Sequence, residues 1–154
     1  MTHAYIELLI ALILGAIIGV ERSFAHKTAG MRTYSLLSMG SCMLVIIGTI
    51  VAPSLINGYN PLYIAGSLIT GLGFLCGGVI IFQDKHLSGL TTAAGLWVSA
   101  GVGIAVGYGL ISLAVFATFI TLIVLTIFWY IEHTITERFT GSHHDRQNSR
   151  IKED

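Results

Sequence analysis

Charged side chains are what this sequence has least of. Eight Lys and Arg with eight Asp and Glu make up 10% of its 154 residues, against about 25% in an average soluble domain. So few charges cannot coat a water-facing surface of this size, which nearly rules out a soluble enzyme. The formal net charge is zero. The basic excess of a nucleic-acid-binding protein is therefore missing, and no nucleic acid is expected as a partner. Cysteine is equally sparse. Cys42 and Cys76 both lie in apolar runs, and no metal-type spacing joins them. There is no nucleophile elbow, no phosphate-binding loop and no pair of histidines at ligand spacing on a helix. No catalytic residue is expected, and the protein reads as a non-enzyme.

Apolar residues fill the space left by charge. They make up 54% of the chain, the mean hydropathy is +0.80, and this abundance excludes disorder for the bulk of the chain. Thr33 to Gln83 is a run of 51 residues without Asp, Glu, Lys or Arg, and His86 to Ile131 is another of 46. Each is long enough for two membrane crossings at about 20 residues apiece. Five spans can be drawn: Ala4 to Val20, Tyr34 to Ala52, Pro61 to Phe82, Thr92 to Gly107 and Leu110 to Ile131. The expected fold is all-α, a polytopic bundle of five transmembrane helices over residues 1–131, with a short, disordered cytoplasmic tail at 132–154. A re-entrant break between Gly101 and Gly109 is the alternative to separate fourth and fifth spans. The first span has its basic residues after it, unlike a signal peptide, and is read as retained.

Several span ends carry recognisable signals. Asn60-Pro61 reads as an N-cap with proline at the first helical position. Thr91 and Thr92 are candidate caps for the fourth helix. Tyr108-Gly109 suits a tight helical hairpin, and Phe128-Trp129-Tyr130 an interfacial aromatic belt. All eight basic residues fall in the segments that five spans place on one side: Arg22, Lys27 and Arg32, then Lys85, then the four of the tail. The positive-inside rule then puts the N-terminus outside and the C-terminus in the cytoplasm.

Glycines four apart put small residues on one helix face and let backbones approach closely. Gly15 and Gly19, Gly73 and Gly77, and Gly103 and Gly107 fit this pattern. Their plain role is packing; a sharper one is that the third and fourth helices line a site or move. The fifth span has no glycine and reads as an outer, lipid-facing helix. Glu7 lies within the outer part of the first span, near enough to the interface to reach water.

Glu21 at the end of the first helix and Arg32 just before the second both carry the wrong sign for the adjacent helix dipole, whereas Arg22 carries the right one. The simplest reason is that Glu21 and Arg32 pair; otherwise Arg32 is a topology anchor and Glu21 is solvated. Glu21, Arg32, Thr33, Asp84, Thr91 and Thr92 are therefore candidates for one polar cluster at the cytoplasmic mouth. Glu21 and Asp84 are weak candidates for holding a hard cation through oxygen.

The motifs Gly19-Val20-Glu21-Arg22, Gly30-Met31-Arg32-Thr33, Gly71 to Gly78 and Gly89 to Ala94 with Trp97 resemble, in order and spacing, the MgtC/SapB family of bacterial inner-membrane proteins. The resemblance covers about residues 5–130. It implies a multi-pass protein of the bacterial cytoplasmic (inner) membrane, linked to magnesium homeostasis and low-magnesium adaptation. It implies regulation of a partner membrane complex such as the F-type ATP synthase; the alternative is a transporter of magnesium or another cation. Expected associations are the lipid bilayer, that complex, a second copy of the chain, and Mg2+ without a resident cofactor. Carried over by motif, the positions that matter are Glu21, Arg22, Gly30, Arg32, Thr33, Gly71, Gly73, Phe74, Cys76, Gly78, Gly89, Thr91, Thr92 and Trp97. Family members commonly hold an Asp and an Arg near the outer start of the third helix, where this chain has Asn60 and Tyr63. Longer members carry a soluble C-terminal domain, and a role for that domain is not expected here.

Overall fold

The computed structural model describes residues 2–55, 60, 62–83 and 86–131. Five helices in it are long and apolar enough to cross a membrane: His3–Phe24, Met31–Val51, Leu62–Val79, Leu90–Gly107 and Ile111–Ile131. The fold is thus all-helical apart from one small hairpin. In chain order the elements are α1 (Thr2–Phe24), α2 (Met31–Leu55), α3 (Leu62–Val79), β1 (Ile81–Gln83), β2 (His86–Ser88), α4 (Leu90–Gly107) and α5 (Ile111–Ile123). The chain divides into two compact units, Met1–Thr121 and Leu122–Asp154. The described part of the second contains a π-helical turn at Val124–Phe128 and the exposed aromatics Phe128, Trp129 and Tyr130. The expected tail at 132–154 lies outside the described residues.

In the first unit α1, α2 and α4 form the core, and α3 rests chiefly on α4. Glycine sets the spacing. A Cβ on Gly15 would lie 2.6 Å from the Tyr34 carbonyl oxygen, and one on Gly19 2.6 Å from the Met31 Cα. On α4, a Cβ on Gly103 would collide with the Ser38 carbonyl, and one on Gly107 would lie 2.8 Å from the Val45 Cβ. The two four-residue pairs on α1 and α4 therefore clamp α2 from two sides, as their spacing predicts. The third pair does not behave this way. Gly73 and Gly77 meet nothing within 4 Å, and neither do Gly66, Gly71 and Gly78. Equal spacing produces an equal small face, but a close approach also needs a neighbouring backbone, and α3 has none on that side.

The helix ends follow from backbone chemistry. At the end of α4 the Gly109 N–H donates to the Val106 carbonyl and the Leu110 N–H to the Ala105 carbonyl, both at 2.8 Å. With Gly109 at φ 77°, this is the Schellman arrangement that satisfies the last carbonyls and lets α5 begin at once. It separates the fourth and fifth helices and removes the re-entrant alternative. Helix α1 ends in the same way, with the Lys27 N–H donating to the Arg22 carbonyl at 3.0 Å and His26, not glycine, at φ 52°. The Asn60 side chain accepts from the Leu62 N–H at 3.0 Å, so the expected cap of α3 forms.

Two boundaries depart from expectation. Helix α3 ends at Val79 rather than near Phe82, because Ile81–Gln83 pairs as a strand with His86–Ser88. Helix α4 is not capped by Thr91 or Thr92. Its N-cap is Gly89, at φ 88° and with no side-chain cap, and the two threonines lie inside the first turn. A Cβ at Gly89 would collide with the Val79 carbonyl oxygen. The return of the hairpin past the end of α3 thus requires glycine on two counts, space and a left-handed backbone.

Candidate functional site

The last turn of α1 and the first turn of α2 carry the charged motif. Arg22 is 2% exposed and Glu21 20%. Its guanidinium donates to both oxygens of the Glu21 carboxylate, from Nε and, at 2.5 Å, from the second terminal nitrogen. This two-pronged geometry is the strongest form of a carboxylate–arginine pair. The expected pair between Glu21 and Arg32 is therefore not the one formed. Burial explains the choice: a guanidinium removed from water needs a carboxylate, whereas Arg32 is exposed and can keep its hydration. Helix α2 begins at Met31, so Arg32 lies within its first turn, and its conflict with the helix dipole is sharper than the sequence suggests.

Ser23 joins the two helices. Its hydroxyl donates to the Gly19 carbonyl at 3.0 Å and accepts from the Met31 N–H at 3.0 Å. It thus caps α2 from eight residues upstream. A Cβ on Gly30 would collide with that hydroxyl, which gives Gly30 of the motif a structural reason.

The centre of the site is Tyr34, a fully buried residue that the sequence reading missed. Its hydroxyl donates to the Thr92 carbonyl at 3.2 Å, and its own carbonyl accepts from the Ser99 hydroxyl at 3.1 Å. A Cβ on Gly95 would lie 2.5 Å from the Tyr34 oxygen. A tyrosine opening an apolar run looks like an interfacial anchor. The available signal was Gly95 and Ser99 four apart on α4, a small and polar face shaped to receive it.

The remaining motif residues separate into two sets. Thr92 is buried beneath Tyr34, and the Cys76 thiol reaches the Ala93 carbonyl at 3.3 Å, tying α3 to α4. Phe74, 91% exposed, and Trp97, 49% exposed, point away from the core; Thr33 and Thr91 are exposed. Gly71, Gly73 and Gly78 face open space. The polar cluster expected at the mouth is thus not assembled by contacts among Glu21, Arg32 and Thr91. Asp84 lies outside the described residues. As a cation ligand Glu21 fits poorly, because both its oxygens are engaged by Arg22. Among the described residues no three His, Cys, Asp or Glu side chains come together in a way that suits a metal.

Two recesses flank this core. One, of about 670 Å3, lies between α2 and α3 and is walled by residues such as Gly40, Leu44, Tyr63, Gly71 and Leu75. The other, of about 630 Å3, lies where α1 ends and α2 begins, beside Arg32 and Thr33.

A multi-pass membrane protein with a buried arginine held by a partly exposed glutamate and a glycine-clamped three-helix core is the class these features define. The MgtC family profile matches residues 8–134, and the chain belongs to that family. YhiD of Escherichia coli (strain K12), described provisionally as a magnesium transporter, is 36% identical over 149 residues, which are 92% of this chain and 67% of that protein. Protein MgtC of Brucella abortus (strain 2308) is 41% identical over 108 residues, 70% of this chain and 44% of that protein. An uncharacterized protein of Haemophilus influenzae (strain Rd) is 37% identical over 123 residues, 76% and 52% of the two chains. The chain thus spans about two thirds of YhiD and about half or less of the other two. No solved structure matches.

Proposed function

We propose that this magnesium-related membrane protein acts in the bacterial inner membrane by docking on and regulating a partner membrane complex, with the N-terminus outside. The magnesium link is supported by its family and by the name its relative YhiD carries. The observation that carries the regulatory reading is the division of the glycines. Gly15 and Gly19 of α1 and Gly95, Gly103 and Gly107 of α4 are spent on a tightly packed core, with Gly101 of α4 facing outward, whereas all five of α3 meet nothing within 4 Å. A core packed so tightly offers an ion no wet route between α1, α2 and α4. A transporter is expected to place ionisable groups near the bilayer midplane, and the charged motif here is at the helix ends. The open face of α3 with its apolar recess against α2 suits a partner's membrane helix, since small residues admit close backbone approach. The F-type ATP synthase is the partner that the family resemblance suggests.

Reconstitution in liposomes tests the reading. The expected result is no magnesium flux, together with a partner recovered by cross-linking from α3 in native membranes. Flux that Glu21→Gln abolishes would establish transport instead.

A further inference from the structure

We propose that the recess between the end of α1 and the start of α2 binds the phosphate headgroup of an anionic phospholipid. Its position comes first. The span of α1 ends at Phe24 and that of α2 begins at Met31, so the recess lies where both helices leave the hydrocarbon. That is the depth at which lipid headgroups lie.

Its walls are amphiphilic. Val20, Phe24 and Met31 supply its apolar lining, and Arg32 and Thr33 its polar lining beside Ser23. Phe24 is 80% exposed and Met31 is also exposed. An inorganic anion would leave these large apolar groups facing water; the glycerol backbone and upper acyl chain of a lipid would cover them. Ser23, which also lines the recess, is already committed on both sides to the backbone.

Charge sets the sign of the ligand. The Glu21 carboxylate is consumed by Arg22, and this is the ion pair found among the described residues. Lys27 and Arg32 therefore stand uncompensated by any described carboxylate. Of the two, only Arg32 lines the recess. Its planar guanidinium matches phosphate with two parallel hydrogen bonds, and basic pockets beside membrane helices suit anionic headgroups. An anion there also relieves the conflict between Arg32 and the dipole of α2.

The test uses the purified full chain in a neutral detergent, titrated with short-chain phosphatidylglycerol, phosphatidylcholine or inorganic phosphate, and read by native mass spectrometry and thermal unfolding. Saturable binding of phosphatidylglycerol alone is expected. Arg32→Gln should weaken it about fivefold or more, the factor equivalent to about 1 kcal/mol per basic residue at an anionic surface. Lys27→Gln should change it much less, and Phe24→Ser should weaken it without touching any charge. Equal losses from Lys27→Gln and Arg32→Gln would show diffuse attraction and overturn the site. So would inorganic phosphate that competes as well as the lipid, which would mark a soluble-anion site. If Arg32→Gln does not fold, Phe24→Ser decides, and unchanged lipid binding in that variant overturns the proposal.

Discussion

His26 is the non-glycine residue that the described backbone holds at positive φ, where it closes α1. The left-handed position after a helix favours glycine, and another residue there costs about 1–2 kcal/mol. His26 is exposed, so its side chain gives up no packing. His26→Gly should therefore stabilise the protein by about 1 kcal/mol, measured as reversible unfolding in mixed detergent. The neighbouring ion pair should behave in the opposite sense. Removing one partner of a buried pair strands the other charge, so Arg22→Ala or Glu21→Ala should each cost about 3 kcal/mol. The double variant should cost clearly less than the sum of the two. An additive double variant would mean that Arg22 is held by something other than Glu21. Little of this was legible beforehand. The dipole argument singled out Glu21 and Arg32 because their signs are wrong and gave no reason to pair Arg22, whose sign is right and which entered the site only through the family motif. Burial decided the pairing, and burial depends on how α1 turns against α2 and α4, which neighbouring letters do not encode.

Among the elements, α3 and α4 carry similar glycine spacings and meet different surroundings. Gly103→Ala places a methyl group against the Ser38 carbonyl and should cost about 2 kcal/mol or more, as overpacking does. Gly73→Ala enters open space inside a helix and should leave stability unchanged or raise it by up to about 1 kcal/mol. Unfolding midpoints of the two variants, compared under one condition, check both. The helices themselves were readable from hydropathy and length, as were the Asn60 cap and the glycine at the turn into α5. The hairpin at Ile81–Ser88 was not: three-residue strands are too short for a period to show. Its trace in the sequence was Gly89, the residue a left-handed backbone pressed against the Val79 carbonyl demands.

At the scale of the whole molecule, the distribution of basic residues makes a prediction about sidedness. Arg22, Lys27, Arg32 and Lys85, with the four of the segment after Ile131, belong on one side if five spans are crossed. A reporter that works only in the cytoplasm, fused after Ile131, should be active; one that works only in the periplasm should be silent there. The reverse result would mean either an even number of crossings or a five-span bundle inverted in the membrane. The number of spans was fully legible because the bilayer demands about 20 apolar residues each time. Which helices touch was not, because a lipid-facing and a helix-facing apolar residue look alike.

The packing of α4 against α1 and α2 also dictates an order of assembly. Helices α1 and α2 are neighbours in the chain and can pair as soon as both have left the ribosome. The third member of that core does not end until Gly107, with α3 made in between. During synthesis α3 therefore enters the bilayer with only its slight contact with α2 to lean on, and its main support comes with the segment made after it. The Cys76 thiol and the Gly89 turn then act as latches, closed from behind, on a helix that was already in the membrane.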